Sequence, residues 1–117
     1  MTNVHLVVRF SDTLAGADTI AEHRKVIERR GAVWFAKFGK TLAVRFVEQL
    51  NAQIKNGTAT HVYFVSKGAK GSGSTWIRAR LTEVRRERPA GKIPVPRYYE
   101  NAFNVQGARL WFRVSAL

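Results

Sequence analysis

From Val4 to Phe10 apolar and polar positions alternate, with Val4, Leu6, Val8 and Phe10 on one side, a period of two that predicts a half-buried strand. A polar connection, Ser11 to Asp18, follows. Thr19 and Glu22 stand at capping-box spacing, so a helix is expected from Thr19 to Arg30, with Gly31 at its C-cap. Ala32 to Phe38 is dense in aromatic and β-branched residues and reads as a short strand or tightly packed loop, broken by Gly39. Ala43, Val47, Leu50 and Ile54 then recur at helical spacing; Thr41 is the expected cap of this second helix, and Asn56-Gly57 ends it.

The second half of the chain is strand-like. Thr60 to Ser66 forms one run, and the Gly/Ser/Lys stretch from Ser66 to Thr75 reads as a flexible hairpin loop. Thr75 to Glu87 alternates: Ile77, Ala79 and Leu81 face one way, Trp76, Arg78, Arg80 and Thr82 the other. Arg88 to Glu100 contains all three prolines and is expected to be an ordered loop. Ala108 to Val114 closes the chain, with Leu110, Phe112 and Val114 inward and Trp111 and Arg113 outward. The order β-α-β-α-β-β-loop-β, without internal repeats, predicts one domain over residues 1–117, of α+β class, built on a curved sheet or small β-barrel with two or three flanking helices.

Charge narrows the choice of function. Twenty Lys and Arg against eight Asp and Glu give a formal net charge of +12, and 13 of the cations are Arg, whose planar fork suits phosphates and stacks on bases. Such a surplus repels itself in a compact fold and points to a polyanionic partner. Residues 66–98 alone hold nine cations and two acids. Phosphate-backbone contacts are accordingly assigned to Lys67, Lys70, Trp76, Arg78, Arg80, Arg85, Arg86, Arg88, Lys92 and Arg97. With no basic amphipathic helix, signal peptide or long apolar run, a membrane is not expected as a partner, and the expected location is cytoplasmic.

Several chemistries are disfavoured. The absence of cysteine removes thiolate metal sites and cysteine nucleophiles. The loop from Gly68 to Thr75 lacks the Lys of a phosphate-binding loop, because Ser74 follows Gly73. His5, His23 and His61 lie far apart and form no metal-ligand pair, and the acids are scattered. The chain is therefore read as a binding module with no cofactor, no metal and no catalytic residues. A small hydrolase or nuclease built from His5, His61 and dispersed acids is the rival from another class.

Two segments interleave aromatic and cationic side chains, Trp76-x-Arg78-x-Arg80 and Arg109-x-Trp111-x-Arg113. Bases stack on such aromatics while neighbouring Arg hold phosphates. A third aromatic group, Trp34, Phe35 and Phe38 between Gly31 and Gly39, suits a pocket wall with Trp34 and Lys37 facing a planar ligand; Tyr98 and Tyr99, held by Pro94 and Pro96, would supply another wall.

The layout resembles the PUA-like superfamily and, within it, the EVE domains, relatives of the YTH and ASCH domains. The resemblance spans nearly the whole chain and rests on the first strand, the Gly31-x-x-Trp34 segment, the aromatic strand His61 to Ser66, the strand Ile77 to Glu87, and the closing strand with Trp111. It implies a flipped, methylated base of DNA held in an aromatic pocket, as in reader modules of modification-dependent restriction systems, with an effector nuclease or other domain acting in trans. By position, Trp34, Phe64 and Ser66 would line that pocket. Where EVE domains carry Lys-Ser-Glu-Pro after the first strand this chain has Arg9-Phe10-Ser11-Asp12, so only Ser11 matches and the base preference does not carry over. RNA binding on the same scaffold is the alternative, ranked behind DNA.

Overall fold

The computed structural model describes residues 3–10, 18–37, 41–67, 74–100 and 108–117. Its elements are β1 (Leu6–Arg9), α1 (Thr19–Arg30), β2 (Val33–Lys37), α2 (Val44–Lys55), β3 (His61–Lys67), β4 (Ser74–Arg85), a 3-10 turn (Arg97–Glu100) and β5 (Leu110–Ala116). The strands form one mixed sheet in the order β1-β3-β4-β5-β2, in which only the β1–β3 pair is parallel. This is the expected α+β architecture, a curled sheet with two helices.

Period-two burial places Leu6, Val8, Val62, Phe64, Ala79, Leu81, Val33, Phe35, Phe112 and Val114 on one face of the sheet, joined by Ile20 and Val26 of α1 and Leu50 of α2. Burying each of these side chains other than Ala79 contributes roughly 1.5–3 kcal/mol. Both helices therefore lie on this inner face, α1 against β2 and β5, and α2 against β4. The pattern breaks in one short stretch: the β4–β5 register shifts between Arg80 and Leu81 and again between Leu81 and Glu83, and Leu81 and Val84, three residues apart, both point inward. A bulge of this kind bends a strand and re-aims the residues after it.

The helix starts differ from expectation. Asp18, not Thr19, caps α1, its side chain accepting from the Ala21 N–H at 3.0 Å, while Gly31 closes the helix at φ 83° as expected. The second helix begins at Val44 with Ala43 at the N-cap and no side-chain cap. Thr41 instead donates its hydroxyl proton to the Arg109 carbonyl.

Unpaired strand edges are satisfied by side chains. Asn51 of α2 accepts from the Val84 N–H (2.9 Å) and donates to the Val84 carbonyl (2.8 Å), as a neighbouring strand would. Gln53 repeats the arrangement with both backbone groups of Val4. On β2 the free edge is closed by the proline segment: the Trp34 N–H bonds the Pro94 carbonyl (2.9 Å) and the Ala36 N–H bonds the Tyr99 hydroxyl (3.1 Å). Exposed edges invite further strand pairing, and these bonds remove the invitation.

Behind Tyr99 a buried chain of hydrogen bonds crosses to α1. The Thr19 carbonyl can only accept, so His23 Nδ1 carries the proton donated to it (2.7 Å), and His23 Nε2 accepts from the Tyr99 hydroxyl (2.9 Å). The imidazole stacks on Phe35 with ring centroids 3.5 Å apart. Burial lowers the His23 pKa to about 3 against the opposing pull of the Thr19 carbonyl, so the ring is neutral at ordinary pH. Burial likewise pushes the Tyr99 phenol upward, so it remains a proton donor.

Candidate nucleic-acid interface

The outer face of the sheet has two halves. On the β5–β2 side Trp34 and Trp111 point outward yet are closed over by the proline segment, packing with Ala108, Ile93, Val95 and Tyr99. Trp111 is 0 % exposed and its indole N–H donates to the Ala108 carbonyl at 3.0 Å, the partner a buried indole requires. The expectation that Trp111 faces outward to a ligand is corrected here: it is a core residue of a second, smaller cluster, because residues 93–99 fold across it.

On the β1–β3–β4 side no described segment covers the face. The registers set out three rows across the strands. Val7, Tyr63 and Arg78 form one row, and Arg9, Val65 and Trp76 the next. His61 and Arg80 form the third, completed by His5, whose ring lies 5.5 Å from that of His61. Trp76 is 61 % exposed and Val7 59 %. His5, Tyr63 and His61 form an aromatic patch, with His5 meeting the Tyr63 ring edge-on at 6.0 Å, and the His61 backbone N–H donates to His5 Nδ1 at 3.1 Å. Three arginines and no carboxylate stand on these rows. Desolvation, first, and then Arg78, His5 and Arg80 lower the His61 pKa below its ordinary value.

Arg113 marks the seam between the halves. It lies over the Trp34 ring at 5.8 Å, donates from Nε to the Thr82 hydroxyl at 2.9 Å, and reaches Glu83 at 3.8 Å. Glu83 also binds Arg85, so one carboxylate serves two guanidiniums.

The residues assigned to a base pocket do not converge. Trp34 is 4 % exposed on the outer face, while Phe64 is fully buried on the inner face, so the sheet separates them. Lys37 and Ser66 lie at opposite ends of the sheet: Lys37 pairs with Leu110, near the end of β4, and Ser66 pairs with Thr75, near its start. Tyr99 is engaged by His23 and Ala36, and Tyr98 packs against Tyr99 at 5.0 Å. Ser11 lies outside the described residues. The aromatic pocket is therefore corrected to two closed clusters, because each ring found an intramolecular partner.

The residues assigned to backbone contacts divide among several surfaces. Trp76, Arg78 and Arg80 share the open face. Arg85 and Arg86 lie farther along, beside Arg109. Arg88 folds back onto the carbonyls of Pro89 and Gly91, and Lys92 is exposed on the loop. Arg97 faces Glu22, Lys25 and Arg29 of α1. Lys67 closes β3, and Lys70, with the loop expected to be flexible, lies outside the described residues. Tyr63, His5, His61 and Arg9 were not among the expected contacts. Tyr63 and His61 are carried to Arg78 and Arg80 by the β3–β4 hairpin, whereas Arg9 and His5 come through the parallel β1–β3 pairing, which is invisible in local alternation.

Among the described residues no group of three His, Asp or Glu is placed to hold a metal ion, and no helix is long and apolar enough to cross a membrane. Comparison with curated proteins and with solved structures gives no match. A family model described as Pua-like matches residues 6–117. The match is to the superfamily and does not single out the EVE branch; it supports nucleic-acid binding in general. Matched over nearly its whole length, and carrying a curled mixed sheet flanked by two helices, the chain belongs to the PUA-like family.

Proposed function

We propose that this protein is a binding module for single-stranded nucleic acid, without chemistry of its own, and that the strand lies across the open β1–β3–β4 face. The observation that supports this most is the exposed Trp76 indole in a row with Arg9 and beside Arg78 and Arg80, with no carboxylate among the described residues of these rows. An indole left in water gains by stacking on a base, roughly 1–3 kcal/mol, and the open sheet face presents Trp76 and the aromatic patch of Tyr63, His5 and His61 to bases already unstacked. A duplex hides those base faces, which is why single strands are favoured over double-stranded DNA. The finer reading, a methylated base flipped out of DNA, needs an open aromatic pocket, and the rings expected to build one are packed into the two cores. The hydrolase reading would need acids beside His5 and His61; the neighbours there are Tyr63, Arg78 and Arg80.

Tryptophan fluorescence tests the proposal. Of the three indoles, Trp34 and Trp111 are closed off and Trp76 is open. Titration with single-stranded RNA or DNA is expected to quench the emission that a soluble quencher also reaches, with affinity falling as salt rises. Binding of duplex with no change in the accessible emission would contradict the proposal.

A further inference from the structure

Past the bulge, β4 runs into an open cavity of about 550 Å3 between its own end, the start of α2 and the start of β5. Three arginines line it, Arg85, Arg86 and Arg109, against one acid, Glu87, and its apolar lining is Val47 and Val84. Arg85 is engaged by Glu83, whereas Arg86 and Arg109 make no ion pair among the described residues and are exposed. The Thr41 hydroxyl, bonded to the Arg109 carbonyl, ties the lead-in of α2 to the β5 side of the hollow. Val47 belongs to the first turn of α2, which has no side-chain cap and no acidic residue, so the positive end of that helix is also uncompensated here.

A second hollow, of about 400 Å3 beside α1, makes the contrast. There Glu22 and Glu28 offset Lys25, Arg29 and Arg97, and Glu22 is already paired with Lys25. Charge and apolar lining together suit an anion with a flat organic body at the first hollow and not at the second.

We infer that the hollow bounded by Arg86 and Arg109 is a phosphate subsite for the same nucleic-acid strand that lies on the open face, with the adjoining sugar or base resting on the half-buried Val47. The inference rests on the binding reading above. From Arg80 to Arg86 the rise along β4 is about 20 Å, a few nucleotides of extended strand. The bulge between them turns the end of β4 out of the line of the open face, so a strand must be long enough to reach the hollow.

Probe length separates the two sites. The intact protein and its Arg86→Ala/Arg109→Ala variant would be titrated with a tetranucleotide and a dodecanucleotide of oligouridine across a salt series. Trp76→Ala serves as the control for the open face. The double variant is expected to bind the dodecanucleotide about ten-fold more weakly, with its salt slope reduced by about 0.7 for each phosphate that is no longer neutralised, while its tetranucleotide affinity stays that of the parent. An Arg86→Lys/Arg109→Lys variant is expected to restore most of the slope, which a folding defect would not allow. Unchanged dodecanucleotide affinity and slope, with Trp76→Ala still weakening both probes, would overturn the subsite and leave the open face standing. Equal weakening of both probes would also overturn it, as the mark of a diffuse field. Failure of the parent protein to bind either probe would remove the binding reading and the subsite together.

Discussion

Two stretches of this chain carry the same local pattern, an indole interleaved with arginines on alternate strand positions, and end in opposite surroundings. Trp111 in Arg109-x-Trp111-x-Arg113 is 0 % exposed; Trp76 in Trp76-x-Arg78-x-Arg80 is 61 % exposed. Both point to the outer face of the same sheet, on strands that pair with each other. The difference is made by residues 93–99, which close the β2 edge by accepting the Trp34 and Ala36 N–H groups at Pro94 and Tyr99 and carry Ile93 and Val95 over one indole only. Alternation thus decides which face a side chain takes. Whether that face is core or surface depends on segments far away in sequence.

The largest expected effect breaks the covered half. Trp111→Ala is expected to cost about 3–5 kcal/mol of stability, as for other large aromatics removed from cores, while the folded fraction binds oligonucleotide as the parent does. Chemical denaturation alongside binding measures both. A Trp111→Ala protein of parental stability that does not bind oligonucleotide would reverse the roles given to the two halves.

Acid should attack the same half from beneath. His23 has a folded pKa of about 3 against 6.5 unfolded, so the unfolded chain takes up a proton first as pH falls. The stability carried by the neutral ring is complete above pH 6.5 and is lost progressively between pH 6.5 and about 3, amounting to roughly 5 kcal/mol at the acid end. Denaturation midpoints over that range should fall accordingly, and in His23→Phe this component of the slope should vanish. An unchanged slope in the variant would show that His23 is not the group responsible.

On the open half the expected effects fall on binding rather than folding. Arg78→Ala and Arg80→Ala should leave stability within about 0.5 kcal/mol of the parent, as surface substitutions usually do. Each should reduce the slope of log affinity against log salt by about 0.7, the single-strand value for one neutralised phosphate. The smallest effect concerns the histidines. Desolvation, Arg78, His5 and Arg80 lower the His61 pKa, and a bound phosphate should oppose that shift by favouring the protonated form, so affinity should rise as pH falls below the ordinary histidine range. Titration of the His61 ring by NMR with and without oligonucleotide, where the bound form should titrate at higher pH, checks the sign.

Much of the fold is legible because it is written locally: period two for the strands, helical spacing at Val47, Leu50 and Ile54, Gly31 for the end of α1. The start of α2 is not legible at Thr41, because a hydroxyl that caps a helix and one that bonds a distant carbonyl look alike in sequence. The bulge after Arg80 leaves only a faint local sign, the apolar Val84 three residues after Leu81 instead of two. The site is legible only in part. Trp76, Arg78 and Arg80 stand where alternation puts them and Tyr63 joins them across the β3–β4 hairpin, but His5 and Arg9 arrive through a parallel pairing between strands more than fifty residues apart. The pocket expected around Trp34, Phe64 and Tyr99 fails for the converse reason. Large rings without visible partners look like ligand contacts, and the fold supplies the partners: Trp111, Phe35 and His23.

The most direct test of the open face is a pair of measurements on Trp76→Ala: its melting temperature and its affinity for a single-stranded oligonucleotide. The side chain touches solvent over most of its surface, so the melting temperature should stay that of the parent, while affinity should drop by the stacking contribution of one base, roughly 1–3 kcal/mol or about 5- to 150-fold. Parental affinity in a folded Trp76→Ala protein that still binds nucleic acid would contradict the account and send the search for the interface elsewhere on the molecule.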